Sequence, residues 1–277
     1  MKSVSYIFLC FLTISSFAQE LKLKNRNPNA LTGSEFAKSI ADTSLSLLER
    51  EKLIYEEVKN GNIPSFLKSL YPVSITKQLN GLDYTLILWV APDYLAIGND
   101  KDYFYIPTTP MLAQKIADLT HTMLPTRLMV DEIYKQAKVK LTPQPIPPNK
   151  TMITVPVFIK HNEMIREQMK LINPTGFTGE LTAGNKKDII ITNKIYGQPT
   201  PRVVIYGWHK LDGKAIQPVY NKHTNTWADY SHGVRLVSKI AYLNGKKIRL
   251  INLLKNPVLH ELISDEGIIP NAKYPLD

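Results

Sequence analysis

Residues 73–90, VSITKQLNGLDYTLILWV, decide the fold class. Two runs rich in β-branched and aromatic residues flank Asn80-Gly81. That dipeptide tolerates the positive φ angles of a type I′ turn, whose twist matches paired strands, so the stretch predicts an antiparallel hairpin. Its second arm, 82–90, is expected to pack with the C-terminal half of the chain.

Working outward, the period changes. Upstream, Thr32 or Ser34 can cap a helix carrying Phe36 and Ile40, and a second helix presents Leu47, Leu48, Ile54 and Val58 on one face. Gly61-Asn62 ends it, and Pro64 opens a short helix through Leu70. Downstream, 93–97 predicts a short strand and 99–102 an acidic turn without EF-hand spacing. Residues 109–121 and 125–139 predict amphipathic helices. PQPIPPN, 143–149, predicts an extended polyproline crossover and is the candidate subdomain boundary. Residues 152–158 are expected as a strand, 161–172 as a helix, and DIIIT (188–192) and VVIY (203–206) as short buried strands. Asn244-Gly245 marks a second hairpin, and 253–263 reads as helical. The expectation is one α+β domain over 32–277, a helical N-terminal half packed on a mainly antiparallel sheet from the C-terminal half.

The first residues carry an export pattern: Lys2, an apolar run from Val4 to Phe17, and Ser16-Phe17-Ala18 with small residues at −3 and −1. Residues 1–18 are expected to be a signal peptide, 19–31 a flexible lead-in, and the protein secreted or periplasmic. The apolar run falls short of the roughly 20 residues of a membrane span, so no stable span is expected after cleavage. Cys10 is the only cysteine, which leaves the mature chain without disulfides, zinc thiolates or a cysteine nucleophile. The formal charge is +10, with dispersed lysines and no arginine-rich tract or aromatic ladder. That balance points to an anionic envelope or extracellular polymer as partner, and away from nucleic acid.

Chemistry concentrates in residues 202–237, RVVIYGWHKLDGKAIQPVYNKHTNTWADYSHGVRLV, which hold three of the six histidines and two of the three tryptophans. His209 follows Gly207-Trp208 at the end of an apolar strand, a rigid mounting for a catalytic group; a half-buried histidine beside a tryptophan fits as well. In Asp229-Tyr230-Ser231-His232-Gly233-Val234-Arg235, His232 can move a proton while Arg235 clamps an anion. The plainer alternative pairs Arg235 with Asp229. Ser231 as nucleophile would need His209 as base and Asp188 or Asp229 as acid, since neighbouring His232 reaches it poorly. Lys187, in the basic loop before 188–192, joins Arg235, Trp208 and Tyr230 as a candidate substrate contact. No cofactor is expected. Zinc on three of His161, His209, His223, His232, Asp188 and Asp229 stays as an alternative, although no HExxH or His-x-His spacing supports it.

Two resemblances follow from these residues. YSHGVRL, 230–236, resembles the Ser-His-Gly-Cys-x-Arg signature of the L,D-transpeptidases, secreted enzymes that cross-link peptidoglycan, and Ile205-Tyr206-Gly207 is similar to their Ile-His-Gly. The match covers about 10 residues and lacks the nucleophile, because Gly233 runs straight into Val234, so that mechanism is not available. A divergent relative with changed chemistry and a chance match both fit it. The pieces TGSEF, PDYLAIGND, LPTRLMVDEIY, AGNKKDIIITN, YGWHKLDGKAIQP and ADYSHGVRLV resemble an uncharacterised family of secreted bacterial and fungal proteins across nearly the whole mature chain. That resemblance implies one integrated domain and supplies no activity. The family's pattern carries histidine where this chain has Asn185, which puts in doubt any activity that used that ring.

Two functions remain as expectations. One is an exported hydrolase or lyase acting on a glycan or peptidoglycan through His209 and His232. The other is a non-catalytic module whose Trp208, Trp227 and Tyr230 stack on sugars of an anionic polymer. Catalysis by the first predicts that His209 and His232 open into one cleft, with Arg235 pointing in and Asp188 or Asp229 orienting a ring.

Overall fold

A computed structural model describes residues 19–172, 174 and 179–276. The expected signal peptide, 1–18, lies outside the described residues, as does most of the turn region after Ile172. Residues 19–31, expected as a flexible lead-in, are tied down: Leu21 is buried and its N–H donates to the Lys68 carbonyl, while Arg26 Nε donates to Asn62 Oδ1 at 2.8 Å. Leu21 is the reason, since an apolar side chain with a place in the core holds its neighbours to the surface.

Two capped helices follow. α1 (Gly33–Ser39) and α2 (Leu47–Lys59) each start with a capping box, Thr32 with Glu35 and Ser46 with Glu49. Each box satisfies two backbone donors that a helix start leaves open. α2 buries Ile54 and Val58, but Leu48 is 75% exposed, so its apolar face is narrower than the spacing predicts. A 3₁₀ turn, Ser65–Lys68, leads into the hairpin.

β1 (Tyr71–Leu79) and β2 (Leu82–Val90) pair antiparallel, with Leu79 opposite Leu82. Asn80 and Gly81 take φ 51° and 79°, the two left-handed residues that a type I′ turn requires. β3 (Ala96–Gly98) and β4 (Tyr103–Tyr105) make a small second hairpin. Then come α3 (Pro110–Leu119), β5 (Thr122–Met123), α4 (Arg127–Gln136) and β6 (Val139–Lys140).

The crossover at 143–149 is pinned by Tyr230, whose hydroxyl accepts from the Ile146 N–H at 2.7 Å. Beyond it the structure corrects the expected 152–158 strand. Residues 150–153 form a 3₁₀ turn, and α5 (Val155–Ile172) has already begun, burying Val155, Phe158, Asn162, Ile165 and Met169. These recur at three- and four-residue steps, the helical period, which outweighs the β propensity of the short valine-rich stretch.

The remaining elements are β7 (Thr182–Ala183), β8 (Lys187–Ile189), β9 (Ile205–His209), β10 (Ala215–Tyr220), β11 (His232–Gly233), β12 (Val237–Ser238), β13 (Ile240–Leu243), β14 (Lys246–Arg249) and α6 (Leu250–Lys255). Asn244 and Gly245 turn the β13–β14 hairpin with φ 47° and 76°. The larger sheet runs β14-β13-β2-β12-β5, with β1 also on β2. Hence 82–90 does pair with the C-terminal half, through Tyr242 opposite Ile87 and Val237 opposite Val90. A four-stranded sheet, β10-β9-β8-β11, carries the candidate site. The fold is α+β, with helices in the N-terminal half, mainly antiparallel sheets and most strands C-terminal. Among the described residues no helix is long and apolar enough to cross a membrane.

Candidate functional site

β8 lies between β9 and β11. It runs parallel to β11, with His232 opposite Lys187 and Gly233 opposite Asp188, and antiparallel to β9, with Lys187 opposite Gly207. Successive side chains on β8 point to opposite faces, so Lys187 and Asp188 head separate clusters. A side chain at Gly233 would put Cβ 2.6 Å from the Tyr94 ring and 2.7 Å from Lys186 Cβ, so the residue after His232 has to be glycine. Gly207 (φ 103°) and Trp208 (φ 57°) are consecutive left-handed residues. For tryptophan that backbone costs about 1–2 kcal/mol. It seats the indole against His161 and Tyr230, with ring centroids 6.0 and 6.2 Å away.

On the Lys187 side stands Asp229. Its Oδ1 accepts from the Ser231 N–H (2.8 Å) and hydroxyl (2.5 Å), and its Oδ2 from Trp227 Nε1 (3.2 Å). His232 Nε2 lies 3.8 Å from Oδ2. Burial would raise the Asp229 pKa, but His232, Lys187 and the Ser231 hydrogen bonds outweigh it and hold the carboxyl down at about 2. The His232 ring is fully buried, and its polar neighbours include the Thr108 backbone and the Asp229 carboxylate, the latter too far for a hydrogen bond. Burial pushes its pKa down, against the pull of Asp229, which favours the neutral ring. Lys187 is only partly buried, its ammonium 5.1 Å from the Trp208 ring centroid. His223 stacks on Trp227 (4.6 Å, 10°), and both are partly exposed.

On the Asp188 side the groups are different. Tyr94 donates its hydroxyl to Asp188 Oδ2 at 2.6 Å, and burial pushes the Asp188 pKa up to about 6 despite Arg235. His209 Nε2 lies 3.0 Å from Asp131 Oδ1, and the ring stacks on Tyr134 (4.5 Å, 17°). Asp131 also accepts from the Tyr206 hydroxyl (2.7 Å) and pairs with Arg127 (3.2 Å). Burial would raise its pKa too, but His209, Tyr206 and Arg127 together keep it below the usual value.

These positions correct several expectations. His209 and His232 do not share a cleft. Both are buried, they keep company with groups on opposite faces of β8, and among the described residues they have no hydrogen-bond or ion-pair partner in common. The acid that orients His209 is Asp131, neither Asp188 nor Asp229. Arg235 clamps no incoming anion: fully buried, it donates to the Ala91 (3.0 Å) and Thr182 (2.7 Å) carbonyls and lies 4.1 Å over the Tyr94 ring. A guanidinium with five donors can close several backbone gaps at once, which suits a core polar junction. Ser231 gives its hydroxyl to Asp229 and to no imidazole, so a Ser-His-Asp relay is not assembled. Trp208 and Tyr230 are buried, leaving Trp227 as the partly exposed aromatic of the three. For the zinc alternative, no group of three His, Cys, Asp or Glu among the described residues is placed to hold a metal.

The structure adds residues that the sequence reading passed over. Lys186, 1% exposed, donates to the Tyr230 carbonyl (2.6 Å) and lies 3.1 Å from His161 Nδ1. Burial pushes its pKa down to about 7, and burial together with Lys186 pushes His161 to about 2. Asp93 accepts from the Tyr105 hydroxyl, the Tyr94 N–H and the Asn185 amide. Asp93 was findable, since it interrupts the apolar run LILWVAPDYLAI. Asp131 gave no such signal on its amphipathic helix. No protein-family model matches this chain, and no curated protein or solved structure matches it either.

Proposed function

We propose that the chain is an exported hydrolase or lyase acting on a cell-envelope or extracellular polymer, a glycan or peptidoglycan, with His232 as proton carrier beside Asp229. One observation carries this reading: a fully buried imidazole, kept toward its neutral form by that burial, with its Nε2 3.8 Å from the Asp229 carboxylate. A substrate group entering between His232 and Lys187 would meet the imidazole and the ammonium together. The neutral ring then accepts a proton, Asp229 stabilises the imidazolium that forms, and Lys187 offers its charge to a developing oxyanion. Export rests on the leader pattern in residues 1–18. Because Val234 stands fully buried where the transpeptidase signature has its cysteine, the reading uses no thiol nucleophile.

The test is release of soluble fragments from purified peptidoglycan and a glycan panel, by the wild type, His232→Ala and His232→Gln. Turnover should fall by about 10²-fold or more in both variants, with polymer pull-down unchanged. A wild type that binds polymer and releases nothing defeats the enzymatic reading. It leaves a secreted binding module, which the partly exposed His223–Trp227 stack favours as a platform for a sugar ring.

A further inference from the structure

Away from the buried histidines, a cavity of about 260 Å³ lies where the β8–β9 loop, the β10–β11 loop, the start of α3 and the C-terminal tail meet. Met111, Tyr196, Pro201, Tyr274 and Pro275 give it a mostly apolar wall, and Arg202 is the one charged side chain among its lining residues. Hydrogen bonds fix that wall. The two loops are joined by the Asn225 N–H on the Pro201 carbonyl (3.1 Å) and the Val203 N–H on the His223 carbonyl (3.2 Å). Asn225 Nδ2 donates to Met111 Sδ at 3.1 Å, and the Tyr196 and Tyr274 hydroxyls donate to the Lys273 (2.5 Å) and Ile190 (2.8 Å) carbonyls. The cavity is therefore formed before anything enters it, as small-molecule sites usually are.

Arg202 is only partly engaged. Its Nη1 donates to the Lys222 carbonyl at 3.0 Å, which sets the guanidinium in the wall. The other edge, Nε and Nη2, has no hydrogen-bond partner among the described residues, and Nε is buried. No ion pair among the described residues includes Arg202. A buried N–H without an acceptor is costly. Two parallel N–H groups on one planar edge match the two oxygens of a carboxylate. Size then limits the rest of the ligand. A dry cavity of about 150 Å³ holds benzene, so 260 Å³ takes one ring with a carboxylate attached and little more. Tyrosine rings pack well on such a ring, and a thioether like that of Met111 packs well on its edge.

We propose that this cavity is a binding site for a small aromatic carboxylate, its carboxylate forked on Arg202 Nε and Nη2 and its ring among Tyr196, Tyr274 and Met111. The site goes beyond the catalytic reading and does not rest on it, since none of its lining residues belongs to the His232 or His209 clusters.

The experiment is calorimetry on the full chain with benzoate, with its neutral isostere benzamide, and with acetate, which carries the charge without the ring. Benzoate should bind at least about tenfold tighter than either, because the charged fork and the buried ring are each worth that factor or more. Arg202→Gln should bind benzoate no better than benzamide, with circular dichroism checking that the variant folds. Gln198→Glu supplies a second arm that leaves the loop contacts of Arg202 in place. Gln198 is an exposed lining residue, and a carboxylate there should weaken benzoate about fivefold through one unfavourable charge contact while sparing benzamide. No measurable benzoate binding, equal affinity for benzoate and benzamide, or a Gln198→Glu variant that binds benzoate like the wild type overturns the site. Octanoate binding more tightly than benzoate overturns the assignment to a ring, and phenyl phosphate doing so overturns the assignment to a carboxylate.

Discussion

Around β2 the interior is hydrocarbon: Leu86, Leu88 and Val90 are fully buried, and their neighbours on β1 and β12 include Val73 and Val237. Around β8 the interior is charge. Lys186, Asp188, Arg235 and Asp93 are each at most 2% exposed and are bonded to the backbones of Tyr230, Ala91, Thr182 and Tyr94, to the Tyr94 and Tyr105 hydroxyls and to His161. The apolar sheet is stabilised by area removed from water, roughly 25 cal/mol per Å², a force without direction. The polar sheet holds because each ion keeps particular partners, and losing one strands the others in low dielectric. The first should tolerate volume-conserving exchange at any pH. The second should tolerate little, and its stability should depend on protons.

The largest difference should come from Arg235→Ala. Stranding Asp188 and two carbonyls should cost about 3–5 kcal/mol, against about 2–5 kcal/mol for the cavity left by Leu88→Ala. Urea unfolding with and without salt separates the two: the Leu88 effect should not change with salt or pH. A loss below about 1 kcal/mol for Arg235→Ala would mean that the network is not the stabilising element described.

Gly233→Ala comes next. Its φ is ordinary, but the new methyl would collide with Tyr94 and Lys186, so about 1–3 kcal/mol should be lost. If His232 acts as proposed, turnover should also drop, because the collision displaces the adjacent ring.

Lys186 gives the pH test. Burial lowers its folded pKa to about 7, from 10.5 when exposed, so between those values the unfolded chain binds the extra proton. Stability should therefore rise with pH from about 7 to 10, with a slope of at most about 1.4 kcal/mol per pH unit from this group. Lys186→Met should flatten that rise in thermal melts across the same window. An identical slope in the variant would show that the ammonium is not desolvated.

The smallest effect should be Gly81→Ala. A Cβ there meets nothing within 4 Å, so its φ of 79° is the whole cost, about 1 kcal/mol. Gly233 and Gly81 thus fail for opposite reasons, no space in the polar sheet and no permitted backbone angle at the hairpin turn.

What is local and repeats along the chain was legible from the residues alone. Asn80-Gly81 and Asn244-Gly245 set their turns by φ preference, the capping boxes set two helix starts, and helical spacing marked α3 and α4, where Leu112, Ile116, Val130 and Ile133 are buried but Leu119 and Leu128 only partly so. The sequence misread 152–158, where a few β-branched residues outvoted a helical spacing visible only over the longer stretch to Met169. It also found the region of the candidate site, because histidine, tryptophan and carboxylate crowd into 202–237. The grouping of those side chains was decided by tertiary structure. Asp131 reaches His209 from 78 positions away, Lys186 reaches His161 from 25, and Arg235 reaches Ala91 from 144. Alternation along β8 then sends Lys187 and Asp188 to different faces and parts two histidines that look like partners in the sequence. Pairing through space depends on strand register and packing, and neither leaves a periodic mark on the residues that it joins.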